Sequence, residues 1–233
     1  MALIDDLKAE TARIFRDQWN VREGRVVPSP EDVKLSNDAV HFDRATVLYA
    51  DLSGSTKMVD TKKWYFSAEI YRTFLYCAAR IVKYEGGEIT SYDGDRIMGV
   101  FIGDNQTTSA ARCGLKINYA AKHIINPAIL KQYTSSTFKV RHVVGIDTSE
   151  VHVARTGARG GNDLVWIGRA PNYAAKMTSL DPDYPTWVTG NAYYFLADEA
   201  KYGGKDKSHM WEQRSWTDMS GMTIYRSSWT WTI

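Results

Sequence analysis

Cysteine and proline are scarce in this chain, and neither sign of charge prevails. The 2 cysteines, Cys77 and Cys113, fall within apolar helical patterns, which excludes a disulfide framework and a zinc knuckle. Both read as buried free thiols of a reducing compartment. A net charge of +2, from 29 basic and 27 acidic residues without a long run of Lys and Arg, excludes a general nucleic-acid binder. An anionic partner must therefore be held by a local site. No apolar run approaches the roughly 18 residues of a membrane span, and the opening MALIDDLKAE lacks the apolar core of a signal peptide. These absences lead to the expectation of a cytoplasmic protein without a membrane partner. What is present is a 44% hydrophobic chain of 233 residues, enough for one large domain with a full core, free of repeats and low-complexity segments.

Periodicity orders the elements. Leu3, Leu7, Ile14, Phe15 and Trp19 among charges give an amphipathic N-terminal helix suited to docking on the body or on a partner subunit. Residues 21–44, with Pro28 and Pro30, read as a connector. The division is placed after residue 41, leaving 42–233 as the main domain and its C-terminal extension. Residues 45–56, ATVLYADLSGST, form a buried strand that ends on Asp51 and enters a small-residue loop of Ser53, Gly54, Ser55 and Thr56 before a long helix. Phe66, Ile70, Phe74, Cys77 and Ile81 share one face of that helix, which Gly86 and Gly87 stop. Residues 88–101 form a hairpin turning at Asp93 and Gly94, with Asp95 just past the tip. A helix over 107–125 is expected to end at Asn126 and Pro127. Phe138, Val140, His142, Val144 and Ile146 alternate as a strand, Val151 and Val153 continue into a partner strand, and residues 157–163 read as a loop. A short strand over 164–167 follows, then a helix over 172–180, then a Trp- and Tyr-rich tail of short strands around a small helix.

Strand, helix, hairpin, helix, strand is the order of a ferredoxin-like βαββαβ core, an α+β sandwich with helices expected on one sheet face. In that topology the first strand lies antiparallel to the strand that follows the hairpin tip, so Asp51 and Asp95 meet. Two carboxylates held together repel, and a proton or a divalent cation relieves them. With a phosphate-sized loop alongside, a pair of ions clamping a nucleotide is the better reading. Asp93 is a turn residue. No histidine is assigned to catalysis: His142 lies on the apolar face of its strand and His152 alternates against Val151 and Val153, structural roles for both, and His41 and His123 are peripheral.

Three segments carry a family resemblance. VLYADLSGST, GGEITSYDGDRIMGVF and VWIGRAPNYAAKM are similar to the three motifs of class III nucleotide cyclases, in family order, across roughly residues 42–181. The resemblance implies a homodimer whose two sites are each built across the interface. It further implies two divalent cations, Mn²⁺ or Mg²⁺, held by Asp51, Asp95 and the backbone carbonyl of Leu52. Ser53, Gly54, Ser55 and Thr56 would hold the β- and γ-phosphates. From the other subunit, Asn172 would orient the ribose, and Lys176 takes the place of the family's transition-state arginine.

The departures are specific. Lysine keeps the charge of that arginine and loses its bidentate fork, so Arg169, Arg155 or Arg96 is a candidate to share the role. The two places that read the purine in this family hold Ser91 and Val165, neither the lysine–aspartate pair for adenine nor the glutamate–cysteine pair for guanine. A site without those partners leaves a purine's polar groups unpaired. With Tyr49 two residues before the metal aspartate, the text resembles most the pyrimidine cyclases of the Pycsar anti-phage systems, Tyr49 filling space that a smaller base leaves. That resemblance implies a 3′,5′-cyclic pyrimidine nucleotide made from UTP or CTP, with UTP slightly favoured, acting on a separately encoded effector. The ribose 3′-oxygen would attack the α-phosphorus in line, its proton passing to Asp51 or to water. Two alternatives stand beside this reading: an adenylate cyclase with atypical base readers, and a catalytically inactive module that senses nucleotide.

Overall fold

A computed structural model describes residues 2–158 and 161–233. In chain order the elements are α1 (Leu3–Arg16), β1 (Asn20–Glu23), β2 (Asp38–Leu52), α2 (Ser55–Thr61), α3 (Trp64–Tyr84), β3 (Glu88–Asp93) and β4 (Arg96–Phe101). There follow α4 (Gln106–Ala120), a π-turn over Ala121–Ile125, α5 (Asn126–Gln132), β5 (His142–Ala158), β6 (Gly161–Gly168) and α6 (Arg169–Met177). The C-terminal part adds β7 (Thr186–Thr189), α7 (Gly190–Tyr194), α8 (Asp198–Lys201), β8 (Tyr202–Gly203), β9 (Ser208–His209), β10 (Glu212–Trp216) and β11 (Met222–Ser227). No described helix is long and apolar enough to cross a membrane. Two compact units result: Met1–Asp43 with Glu150–Gly168, and Arg44–Ser149 with Arg169–Ile233. The β5–β6 hairpin thus groups with the N-terminal segment, whereas sequence reading drew a single division after residue 41.

In the first unit, α1 carries Asp5 and Asp6 in its first turn and Arg13 and Arg16 in its last, each sign facing the helix pole it stabilises. No side chain of α1 is buried. The Asn37 amide donates to the carbonyls of Ile14 and Asp17, fixing the end of the helix. Strand β1 pairs in parallel with the start of β2, and β6 pairs antiparallel with the end of β5. A cavity of about 260 Å³ is lined here by Ile14, Trp19, Leu35 and Val165.

In the second unit the sheet order is β10-β11-β7-β5-β2-β4-β3. Its inner four strands, β5-β2-β4-β3, together with α3 and α4, form the expected βαββαβ core. Leu48, Ile97, Val144 and Ile146 pack with Phe74 of α3 and Leu115 of α4. The other face is covered as well. Successive strand residues point to opposite sides, and Val143 packs with Met177, Trp187, Trp216 and Ile224. The two core helices α3 and α4 share one face as expected, while helix α6, which follows the βαββαβ core, lies on the opposite face. Nothing wider than glycine fits at position 145, where a Cβ would collide with the Ala174 carbonyl of α6. Both sides being covered, β4 shows no polar alternation and Ile97 to Phe101 are all buried.

Three further expectations are corrected. The helix of 107–125 does not stop at Asn126 and Pro127, because a π-turn carries it into α5 with proline in the first turn, where a missing N–H costs no hydrogen bond. Val151 and Val153 lie in the same 17-residue strand as Val144, since both halves of β5 find neighbours. Of the loop expected over 157–163, residues 157–158 and 161–163 are paired strand, and 159–160 lie outside the described residues.

Candidate active site

The β2–β4 ladder ends with Ala50 opposite Ile97. One step further, Asp51 faces Arg96, and Asp95 stands in the turn beyond. The antiparallel pairing thus brings the two aspartates together. Burial, and after it the negative charge of Asp95, push the Asp51 carboxyl up to about 6, against the pull of Arg96 and the Leu52 N–H. Asp95 is half-buried, and its Oδ2 is buried without a hydrogen-bond partner. An orphaned carboxylate oxygen beside a carboxyl that resists ionisation is an arrangement that a divalent cation neutralises.

The loop after Asp51 is shorter than expected. Gly54 takes a left-handed conformation, φ 78°, and α2 begins at once with Ser55. It breaks at extended Lys62, and the long helix starts afresh at Trp64. Ser53 is anchored by its N–H to the Arg141 carbonyl at 2.9 Å. Ser53, Gly54 and Thr56 are exposed and Ser55 is half-buried.

Tyr49 and Ser91 both pair with Met98, from either side, and so share a sheet face. Burial raises the Tyr49 hydroxyl pKa, and the Ser91 side chain faces it. Arg96 lies over the Tyr49 ring at 5.2 Å and donates to Asp93 at 2.6 Å, so Asp93 does more than turn the chain. Tyr71 of α3 was missed. Its pKa is raised by burial and by the charges of Asp95 and Asp51, and its hydroxyl meets Ser55. Nothing in the sequence distinguished it from the other aromatics of that helix.

On α6, Asn172 and Lys176 are exposed and one helical turn apart on the same face. The Lys176 ammonium lies 3.6 Å from the Met219 sulfur. The candidate cations sort differently. Arg169 is bound to fully buried Asp147 at 2.9 and 3.3 Å and to the Thr148 carbonyl at 2.7 Å, with Thr189 also donating to Asp147. It is structurally committed. Arg155 and Val165 belong to the other unit, where Arg155 reaches the Val33 carbonyl at 3.4 Å.

Among solved structures, the chain is similar to the guanylyl cyclase Cya2, with TM-score 0.67, 16% identity, and coverage of 82% of this chain and 94% of that one. The fold is that of a class III nucleotide cyclase domain. No protein-family model matches the chain. It is 56% identical to a uridylate cyclase of Burkholderia cepacia and 51% identical to one of Xanthomonas perforans, in each case over 100% of both chains. The chain belongs to this uridylate cyclase family, a family of pyrimidine nucleotide cyclases.

Proposed function

We propose that this chain converts UTP to its 3′,5′-cyclic monophosphate and pyrophosphate. The observation that carries the reading is the Asp51–Asp95 pair, one carboxyl pushed up to about 6 beside another with an orphaned oxygen. This donor set fits two hard divalent cations, Mn²⁺ or Mg²⁺, held by the two carboxylates and the Leu52 carbonyl. Bound there, the ions supply charge neutralisation at the triphosphate and a lowered pKa at the ribose 3′-hydroxyl. The 3′-oxygen forms its bond to the α-phosphorus, the bond to the β-phosphate bridging oxygen breaks, and the hydroxyl proton leaves to Asp51 or water.

The residues divide the remaining work. The backbone and hydroxyls of Ser53, Gly54, Ser55 and Thr56 receive the β- and γ-phosphates. Tyr49 and Ser91 face the base, the serine hydroxyl serving as donor or acceptor at a pyrimidine edge. Asn172 and Lys176, exposed on α6, act on the ribose and the transition-state charge in the site of a second copy of the chain. Val165 is the remaining base-side candidate. The preference for UTP over CTP rests on the names of the full-length relatives. The resemblance to Pycsar cyclases supports an anti-phage second messenger read by a separate effector in the cytoplasm.

The test offers all four nucleoside triphosphates together, with Mn²⁺ or Mg²⁺, and identifies products by mass spectrometry. Cyclic UMP is expected, with none from an Asp51→Asn chain. Preferential consumption of ATP would overturn the base assignment and leave the cyclase reaction standing.

A further inference from the structure

The first unit gathers a second set of ligand-type side chains. Glu150 and His152 are two apart on β5, and His41 and Asp43 are two apart on β2, so each pair shares a face of its strand. Glu23 of β1 stands directly opposite His41. The rings of His41 and His152 are 4.6 Å apart between centroids, and one donor atom from each of His41, Glu150 and His152 lies within 4.8 Å of the others.

We infer that His41, Glu150 and His152 form a binding site for a borderline divalent metal ion of the zinc type, separate from the Asp51–Asp95 pair. His41 makes the strongest case. Its Nδ1 is 2.9 Å from the Glu23 carboxylate, which selects the tautomer with the proton on Nδ1. That leaves the Nε2 lone pair facing the Glu150 carboxylate at 3.0 Å and Asp43 at 3.8 Å. A lone pair aimed at carboxylate oxygens is relieved by a cation between them or by a second ring proton. A carboxylate that holds the far nitrogen of a ligating imidazole is a recurrent support of metal sites. Zinc bonds of about 2.0–2.2 Å put neighbouring ligands roughly 3.4 Å apart, a separation the His41–Glu150 pair, at 3.0 Å, comes within a few tenths of an ångström of. Two imidazoles and one carboxylate favour zinc, nickel or cobalt over the oxygen-seeking magnesium. Three ligands from one chain leave a position open to water.

The measurement strips the full chain with chelator and titrates Zn²⁺ against a chromophoric competitor, in the wild type and in an Asp51→Asn, Asp95→Asn double variant. About one tight equivalent per chain is expected in both, unaffected by excess Mg²⁺. In a His41→Ala, His152→Ala chain with unchanged circular dichroism the equivalent disappears. Glu23→Gln lowers the affinity by about 10- to 100-fold. Co²⁺ gives the visible absorption of a four-coordinate ion in the wild type and loses it in the histidine variant; should that variant misfold, Glu150→Gln serves. Absence of tight Zn²⁺, or its loss on changing Asp51 and Asp95 with retention in the histidine variant, overturns the inference, the first outcome leaving His41 a protonated imidazolium clamped by carboxylates. Neither reading depends on whether the chain cyclises UTP.

Discussion

One set of ionisable groups in each unit is treated in the opposite way to the other. In the second, Asp51, Asp95 and His142 are drawn into the protein: Asp51 resists ionisation, Asp95 keeps an oxygen unmatched, and the His142 ring is buried with Nε2 unpartnered. In the first, Glu23, His41, Asp43 and Glu150 stand near the surface and answer one another, as do Glu10, Arg13 and Asp17. Withdrawn oxygens store a repulsion that only an incoming ion removes, which suits a site that must grip a charged substrate. Displayed nitrogens and oxygens are already half-satisfied and suit an ion that settles without chemistry.

The comparison breaks most visibly at the aspartates. Asp51→Asn or Asp95→Asn is expected to lower kcat/KM by about 10³-fold or more, some 4 kcal/mol in the barrier, measured with UTP and Mn²⁺. The folded chain survives, since each change relieves like-charge repulsion; a fall in Tm beyond a few degrees would make the pair structural. Next in size is Arg169→Ala, which strands the fully buried Asp147 and is expected to cost about 3 kcal/mol in urea unfolding. That loss marks a paired buried acid, unlike Asp51. Third comes His142, whose pKa burial lowers to about 3. Between that value and the ordinary 6.5 the unfolded chain binds the proton that the folded chain refuses, so stability falls as pH drops through this window. At pH 5 the cost is about 2 kcal/mol, and His142→Met should flatten this limb of the stability profile while leaving the neutral plateau nearly unchanged. Smallest is Glu150→Gln in the displayed cluster, expected to shift stability by about 0.5 kcal/mol or less at neutral pH without metal, as exposed pairs do.

Much of the second unit was legible because its signals are local. A strand ending on aspartate, an Asp-Gly turn and a helix with apolar residues on one stripe each declare themselves within a few residues, and the βαββαβ order then brings Asp51 to Asp95. The misreadings share a cause. Asn126 and Pro127 look like a stop because proline lacks an N–H, yet in the first turn of α5 none is required. Residues 151–153 and 157–158 were split from β5 because a strand that changes neighbours midway changes its pattern too. The His41 cluster escaped since its members come from three strands; the only local trace was the two-residue spacing of His41 with Asp43 and of Glu150 with His152. Tyr71 left no trace, being placed by the packing of α3 alone.

Position 145 has room for a hydrogen atom and nothing more, so α6 rests on β5 as closely as two backbones can. The direction in which α6 presents its exposed Asn172 and Lys176 is therefore calibrated by that single hydrogen. One methyl group there would tip the helix outward and re-aim both side chains; in the dimer proposed above, that disables catalysis in the neighbouring copy's pocket while every residue of that pocket stays intact.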